Sequence, residues 1–262
     1  MKIYAVVNQK GGVGKTSVAV NLSATLAHYG QRILLVDLDP QGNATTGSGI
    51  DKNGFDKTLY GVLLGEYAVT EARVKSEAGY DVLMANRELA GAEIEMVSIE
   101  NREFRLKTAL TTIAEDYDFA IIDCPPALNM LTVNALTAAD AVIIPMQCEY
   151  YALEGLSDLV GTLKKVKANL NPKIEIEALV RTMYDPRSSL TTQVSDEIKN
   201  HFGDKVFDTV IPRNIRIAEA PSFGKPVIQH DPSSKGAQAH FAFARELLGR
   251  HGISIKETTS PC

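Results

Sequence analysis

Three cysteines in 262 residues, Cys124, Cys148 and Cys262, are too few and too scattered to staple a chain. No C-x-x-C pair occurs among them, so neither a zinc site nor a disulfide framework is indicated, and a reducing compartment is expected. No apolar run approaches the ~18 residues that a membrane-spanning helix needs, which excludes an integral membrane protein of that kind. The opening MKIYAVVNQKGG has no apolar signal region and no cleavage site behind it, so export is not expected and the cytoplasm is the expected location. Internal repeats and low-complexity linkers are also missing. Hydrophobic residues at 45% and charged residues at 23% are ordinary for a globular protein and exclude disordered and collagen-like classes. Excess charge is small, at −5, which argues against a generally basic nucleic-acid binder. The balance is uneven along the chain: residues 1–180 hold 16 Lys and Arg against 23 Asp and Glu, whereas residues 181–250 hold 10 against 8.

What is present reads as one α/β domain over residues 1–262, since cores of this size routinely form from a single such unit. Ile3–Val7 is a short apolar run of strand type, followed by a glycine-rich loop and a helical pattern from Thr16 to Tyr29. Gly30 stands where a left-handed residue would end that helix, and Arg32–Val36 gives the next strand, stopping at Asp37. Further strands are expected at Asp81–Met84, Phe119–Ile122, Ala141–Pro145, Ile174–Val180 and Val206–Ile211. Helices are expected over 101–115, 152–169, 188–202 and 235–250, and the segment 42–80 is the most loop-like stretch. Near-continuous apolar strands alternating with helices predict a doubly wound, mostly parallel twisted sheet with ligands at the strand C-termini.

The segment Asn8-Gln9-Lys10-Gly11-Gly12-Val13-Gly14-Lys15-Thr16-Ser17 lies between the first strand and the first helix. Three glycines let successive backbone N–H groups curl around a polyphosphate, and the helix N-terminus adds partial positive charge. Lys15 can reach the β- and γ-phosphates while the Thr16 hydroxyl ligates Mg²⁺. The ordinary pattern G-x-x-x-x-G-K-[ST] would place glycine at Gln9, and a second lysine, Lys10, stands inside the loop. Asp37 and Asp39 follow the second strand, and Asp123 ends the apolar run Phe119–Ile122. Carboxylates at those strand ends suit metal holding and water activation, although Asp-x-Asp after a strand is also common turn chemistry. Cys124 reads as a packed small side chain, with no basic neighbour in sequence to stabilise a thiolate. Pro212-Arg213-Asn214 reads, on its residues alone, as a turn after the strand Val206–Ile211.

The spelling KGGVGKT resembles the deviant Walker A loop of the ParA/MinD group of ATPases. Four further blocks, LLVDLDPQGNAT, FAIIDCPPALNMLTVNAL, PMQCEYYALEGL and VIPRNIRIAEAPSFGKPV, resemble chromosomal ParA/Soj proteins in the same order. The resemblance implies ATP and Mg²⁺ as cofactors, bound by Lys10 to Ser17 with Thr16, Asp37 and Asp123 near the metal. It implies that Lys10 reaches the phosphates of a partner subunit in an ATP-bound homodimer, that Asp39 orients the attacking water, and that Pro212 and Asn214 contact adenine. It further implies slow, partner- and DNA-stimulated ATP hydrolysis to ADP and phosphate, and sequence-independent binding of double-stranded DNA through Arg187 and Arg216, in the matching D-x-R and P-R-N-x-R motifs. Glu149 and Tyr150 in the EYYALEG block suit a place near the nucleotide or the dimer seam, and equally helix capping and core packing. The implied partner is a ParB/Spo0J-type centromere-binding protein, and the implied location is the cytoplasm, on the nucleoid when ATP is bound.

Rival readings share the loop. A MinD-like membrane-cycling ATPase would finish in a basic amphipathic helix, and HGISIKETTSPC at 251–262 offers no apolar helical face. An iron–sulfur carrier would need cysteine ligands in a recognisable motif. A P-loop kinase or ligase would carry an acceptor pocket instead of a DNA surface. With the glycine loop starting near residue 8, no preceding DNA-reading helix-turn-helix is expected, and operator-specific repression with it.

Overall fold

The computed structural model describes residues 1–255. The first half runs β1 (Lys2–Val6), α1 (Lys15–His28), β2 (Ile33–Asp37), α2 (Asn43–Gly47), α3 (Leu59–Leu64) and α4 (Val69–Ala72). It continues with β3 (Arg73–Lys75), β4 (Asp81–Leu83), α5 (Leu89–Glu95), α6 (Arg105–Thr111), β5 (Phe119–Asp123) and α7 (Met130–Ala138). The second half holds β6 (Ala141–Gln147), α8 (Ala152–Asn169), β7 (Glu175–Tyr184), α9 (Ser189–Phe202) and β8 (Val206–Pro212). Three helices close the described chain: α10 (Ile215–Glu219), α11 (Val227–His230) and α12 (Lys235–Arg250). The strands form one sheet in the order β3-β4-β2-β5-β1-β6-β7-β8, parallel except for β3 against β4.

Alternation along the strands divides the core in two. Ala5 and Val7 join Leu34, Val36, Ile122 and Ile144 on the face covered by α3 and α5–α9. Tyr4 and Val6 join Ile33, Leu35, Ile121 and Ile143 on the face covered by α1, α11 and α12. Strands buried on both sides cannot alternate apolar with polar, which is why their sequences are almost unbroken runs of Ile, Leu, Val and Ala. The doubly wound, mostly parallel sheet expected from the sequence is therefore the one observed.

Local rules place most boundaries. Gly30 takes φ 81° and its N–H bonds to the Ala27 carbonyl at 2.9 Å, ending α1 as expected. Ser188 and Ser234 cap α9 and α12, accepting from Thr191 N and Ala237 N. Segment 42–80 departs from the expectation: it carries α2, α3, α4 and the edge strand β3. The expected helix over 101–115 is shorter, a 3₁₀ turn at Arg102–Phe104 followed by α6. Strand β7 runs on to Tyr184, four residues beyond the expected end, carrying the buried Arg181. Among the described residues no helix is long and apolar enough to cross a membrane. Residues 256–262, most of the tail in which no amphipathic helix was expected, lie outside the described residues.

Candidate functional site

The loop after β1 is held open from the sheet side. Asn8 donates to the Pro145 carbonyl at 2.8 Å, Gln147 to the Gly12 carbonyl at 3.0 Å, and Thr182 to the Val13 carbonyl at 2.8 Å. Strands β1, β6 and β7 thus all grip one turn. Gly12 and Gly14 sit at φ 74° and 90°, conformations that a side chain would strain. Helix α1 starts directly at Lys15 with no side-chain cap, so its first turn points unsatisfied N–H groups toward the loop, as an anion site requires. Lys15 is 7% exposed; its ammonium donates to the Lys10 carbonyl at 3.2 Å. Burial lowers its pKa against the opposing pull of Asp123 and Asp39. Lys10 points elsewhere, into a 2.5 Å ion pair with Glu149, both side chains being about half exposed.

The carboxylates meet through strand register. Asp37 pairs with Asp123 across β2 and β5, and Val6 pairs with Asp123 across β1 and β5, so both acids emerge beside the start of the loop. They are not equivalent. Asp37 Oδ2 accepts from the Thr45 N–H at 2.7 Å and from its hydroxyl at 2.8 Å, while Oδ1 accepts from the Asp39 N–H at 3.2 Å. Asp123 is fully buried, and neither of its oxygens has a hydrogen-bond partner among the described residues. Burial, and then the Asp37 carboxylate, pushes its pKa well above the usual range; the Thr16 hydroxyl, nearby but outside hydrogen-bonding geometry, and Lys15 pull it down. Burial likewise raises Asp37. Two adjacent buried acids with unfilled acceptor capacity are what a cation and its water shell satisfy, so the donor set fits Mg²⁺. Asp39 is half-buried; one oxygen accepts from the Gln41 N–H at 2.9 Å.

A cavity of about 440 Å³ opens from the loop toward the end of β8, with Gly14, Thr16, Ser17, Met183, Pro212 and Asn214 in its walls. Asn214 Oδ1 caps α10, accepting from Arg216 N at 3.0 Å and from Ile217 N at 3.4 Å, which leaves the amide NH₂ as its group for a ligand. The close fit depends on Gly236, where a Cβ would come within 2.9 Å of that Oδ1 and 2.6 Å of Ile217. Glycine loop, paired acids and the Pro212–Asn214 turn are thereby brought to one rim.

The two arginines expected at a DNA surface follow β7 and β8, whose ends pair at Tyr184 and Pro212. Each is held by acids of its own chain. Arg187 makes a two-pronged contact with Asp185, at 2.9 and 2.8 Å, and holds its carboxyl down at about 2. Arg216 reaches Glu219 at 2.8 Å and Asp231 at 3.3 Å. Sequence reasoning missed Thr182, which ties β7 to the loop, and Met183, at φ 48° in the cavity wall. Both stand at a strand C-terminus, and extending β7 past Arg181 would have found them. It also missed Arg181 itself, buried and donating to Ser195 Oγ and to the Phe207 and Asp208 carbonyls. Cys124 is a packed thiol whose pKa burial raises.

Residues 1–176 match a family model described as an AAA domain. The chain is 52% identical over 253 residues to the chromosome partitioning protein ParA of Caulobacter vibrioides, covering 95% of each chain. It is 52% identical over 247 residues to the sporulation initiation inhibitor protein Soj of Bacillus subtilis, covering 94% of this chain and 98% of that one. Among solved structures it resembles cobyrinic acid a,c-diamide synthase of Mycobacterium smegmatis with bound ATP analogue and magnesium. That likeness has a TM-score of 0.84 at 36% identity, over 99% of this chain and 100% of the other. With a glycine loop carrying two lysines, strand-end acids in register and this likeness over nearly its whole described length, the chain belongs to the ParA/Soj family of deviant Walker A P-loop ATPases.

Proposed function

We propose that this chain works as a single ATPase domain and an ATP-dependent dimerisation switch. Loaded with ATP, it binds duplex DNA without sequence preference; with a ParB/Spo0J-type centromere-binding protein it hydrolyses ATP to drive segregation of a chromosome or plasmid. The observation that carries the ATPase reading is Asp123, a buried carboxylate with two unpartnered oxygens in register with Asp37 and beside Lys15. The N–H groups of Gly11 to Ser17 and the Lys15 ammonium would hold the phosphates, and Asn214 and Pro212 the base. Thr16 and Asp123 would hold Mg²⁺, which when bound neutralises phosphate charge. Asp37, which accepts from Thr45, would add a second carboxylate at the edge of that site. Asp39 keeps one oxygen free of the Gln41 bond to orient water.

Lys10 is assigned to the neighbouring subunit's phosphates because it lies on the rim, about half exposed, while Lys15 already serves its own loop. Two copies joined by ATP would present two sets of Arg187 and Arg216, and doubling the phosphate contacts steepens DNA affinity. The cell compartment implied is the cytoplasm, on the nucleoid in the ATP state. The structural relative named as a synthase shares the fold, whereas the two curated relatives named for partition and sporulation control are closer in sequence.

The deciding measurement is binding of non-specific duplex DNA with no nucleotide, ADP, ATP or a non-hydrolysable analogue, for wild type, Lys10→Ala and Arg216→Glu, across a salt titration. Binding that needs ATP, weakens with salt and is lost in both variants is expected. ATP-driven dimers that never bind DNA would remove the partition role and leave the switch.

A further inference from the structure

Two of the side chains that grip the glycine loop are partners in the sheet. Gln147 and Thr182 stand opposite each other in the parallel register of β6 and β7, so both reach the loop from one place. Gln147 Nε2 donates to the Gly12 carbonyl at 3.0 Å and Thr182 Oγ1 to the Val13 carbonyl at 2.8 Å, two successive carbonyls of the chain. Among the described residues neither carbonyl has another donor. Thr182 and Val13 are 3% and 1% exposed, so water does not compete for that bond. Gln147 Nε2 also donates to Met183 Sδ at 3.0 Å, which uses both protons of the amide and fixes the way it faces.

The loop does not hold these carbonyls in place by itself. Val13 lies between Gly12 and Gly14, and glycine accepts either sign of φ, so the two peptide planes around Val13 can turn over at little cost. A peptide unit is planar and trans, with its N–H pointing opposite to its C=O. Drawing the Gly12 and Val13 carbonyls toward the ends of β6 and β7 therefore turns the Val13 and Gly14 N–H groups away from the strands, as an anion cradle requires. A plane turned over would aim a carbonyl oxygen at the phosphates instead. On the placing of the phosphates at Gly11 to Ser17 given above, we propose that Gln147 and Thr182 are positioning residues that lock these two peptides and so set the preference of the loop for a polyphosphate over a monophosphate. The N–H groups of Thr16 and Ser17 are oriented by the first turn of α1, and both residues line the cavity that runs on to Pro212 and Asn214. The phosphate nearest the nucleoside is held there, without the lock; the next one out depends on Val13 and Gly14.

The test is calorimetric titration of the full chain with ADP and Mg²⁺, and with AMP measured by competition against ADP, for wild type, Thr182→Val, Thr182→Ser and Gln147→Leu. Thr182→Val keeps the shape of the side chain and removes only the hydroxyl; it is expected to bind ADP at least about tenfold more weakly, the scale of a buried acceptor left unpaired. Thr182→Ser restores the donor and should lie within about twofold of wild type, and Gln147→Leu, whose bond is less buried, should lose about threefold or more. AMP affinity should change by less than about twofold in every variant, so that the ADP-to-AMP preference falls where the donor is lost and returns in Thr182→Ser. ADP bound by Thr182→Val as tightly as by wild type would overturn the proposal. So would equal losses for ADP and AMP, or no recovery in Thr182→Ser, since either would make the contact one of packing. Wild type that binds neither nucleotide is a different failure: it would remove the phosphates from this loop, and the lock with them.

Discussion

Burial leaves Asp123 with two acceptor oxygens, no donor, and another buried acid across the ladder. Such a group weakens the fold unless something positive joins it, at about 1–3 kcal/mol for an unpaired buried polar group. Asp123→Asn removes the charge at constant shape. The ligand-free variant is therefore expected to melt higher than wild type, while Mg²⁺-dependent ATP hydrolysis falls at least about a hundredfold, the scale of a lost electrostatic contact to transferring phosphate. A calorimetric scan without ligand and a turnover assay check the two halves; a lower melting point would mean that Asp123 serves packing. His240 is a second buried polar group, with neither ring nitrogen bonded among the described residues, and burial alone lowers its pKa to about 3. The unfolded chain takes up that proton near the ordinary pKa of about 6.5, so the folded state loses about 1.4 kcal/mol per pH unit as pH falls from there toward 3. Above pH 6.5 the imidazole is neutral in both states and contributes no slope. His240→Leu should flatten the urea-derived stability profile between pH 6.5 and 4 by that amount, and a slope unchanged from wild type would remove His240 as its source.

At the scale of elements, long helices were legible and short ones were not. Ala152–Asn169 and Lys235–Arg250 match the expected ranges because each carries a continuous amphipathic stripe, whose signal accumulates over several turns. Helix α7 escaped notice for the opposite reason: seven of its nine residues are buried, so no polar face marks its period. Helix α2 exists because Asp37, eight residues back, binds the Thr45 N–H, a tertiary tie that no local pattern displays in a Gly- and Thr-rich stretch. The phosphate loop and its acids were legible as chemistry placed at strand ends, whereas Thr182 and Met183 hid behind Arg181, a charge that reads as the end of a strand. Equally invisible was the pairing of the two candidate DNA arginines. Arg216, on α10, must leave Glu219 and Asp231 to meet phosphate, and Arg187 must leave Asp185. Exposed pairs of this kind contribute little, because solvent screens them. Glu219→Gln, Asp231→Asn and Asp185→Asn are accordingly expected to tighten DNA binding by about two- to fivefold each and to make the salt dependence steeper. Weaker binding in these variants would show that the acids orient the arginines instead of masking them.

Across the whole molecule, the parallel sheet delivers every nucleotide-facing group to one edge, so the surface that would meet a second subunit is also the surface that meets ATP. Lys10, Glu149, Tyr150 and Tyr151 stand on that rim, the tyrosines 76% and 69% exposed. In the single chain the Lys10 ammonium rests on Glu149 in a half-exposed pair, an interaction weak enough to exchange for a polyphosphate. A lysine parked in this way stays clear of its own loop, where Lys15 already bonds the Lys10 carbonyl, and in the dimer proposed above it would cross to a neighbour once ATP is present on both sides. Sedimentation velocity separates this arrangement from simpler ones. Wild type should be monomeric with ADP and dimeric with a non-hydrolysable ATP analogue, and Lys10→Ala should stay monomeric while binding that analogue within about threefold of wild type, since one charge in a partly exposed site contributes little to monomer affinity. Glu149→Gln should dimerise at the same or lower protein concentration, because the restraint on Lys10 is gone. If Glu149→Gln instead abolishes the dimer, the glutamate holds the lysine of the opposite subunit in the assembled state, and the pair seen in the single chain is a preview of the seam and not a brake on it.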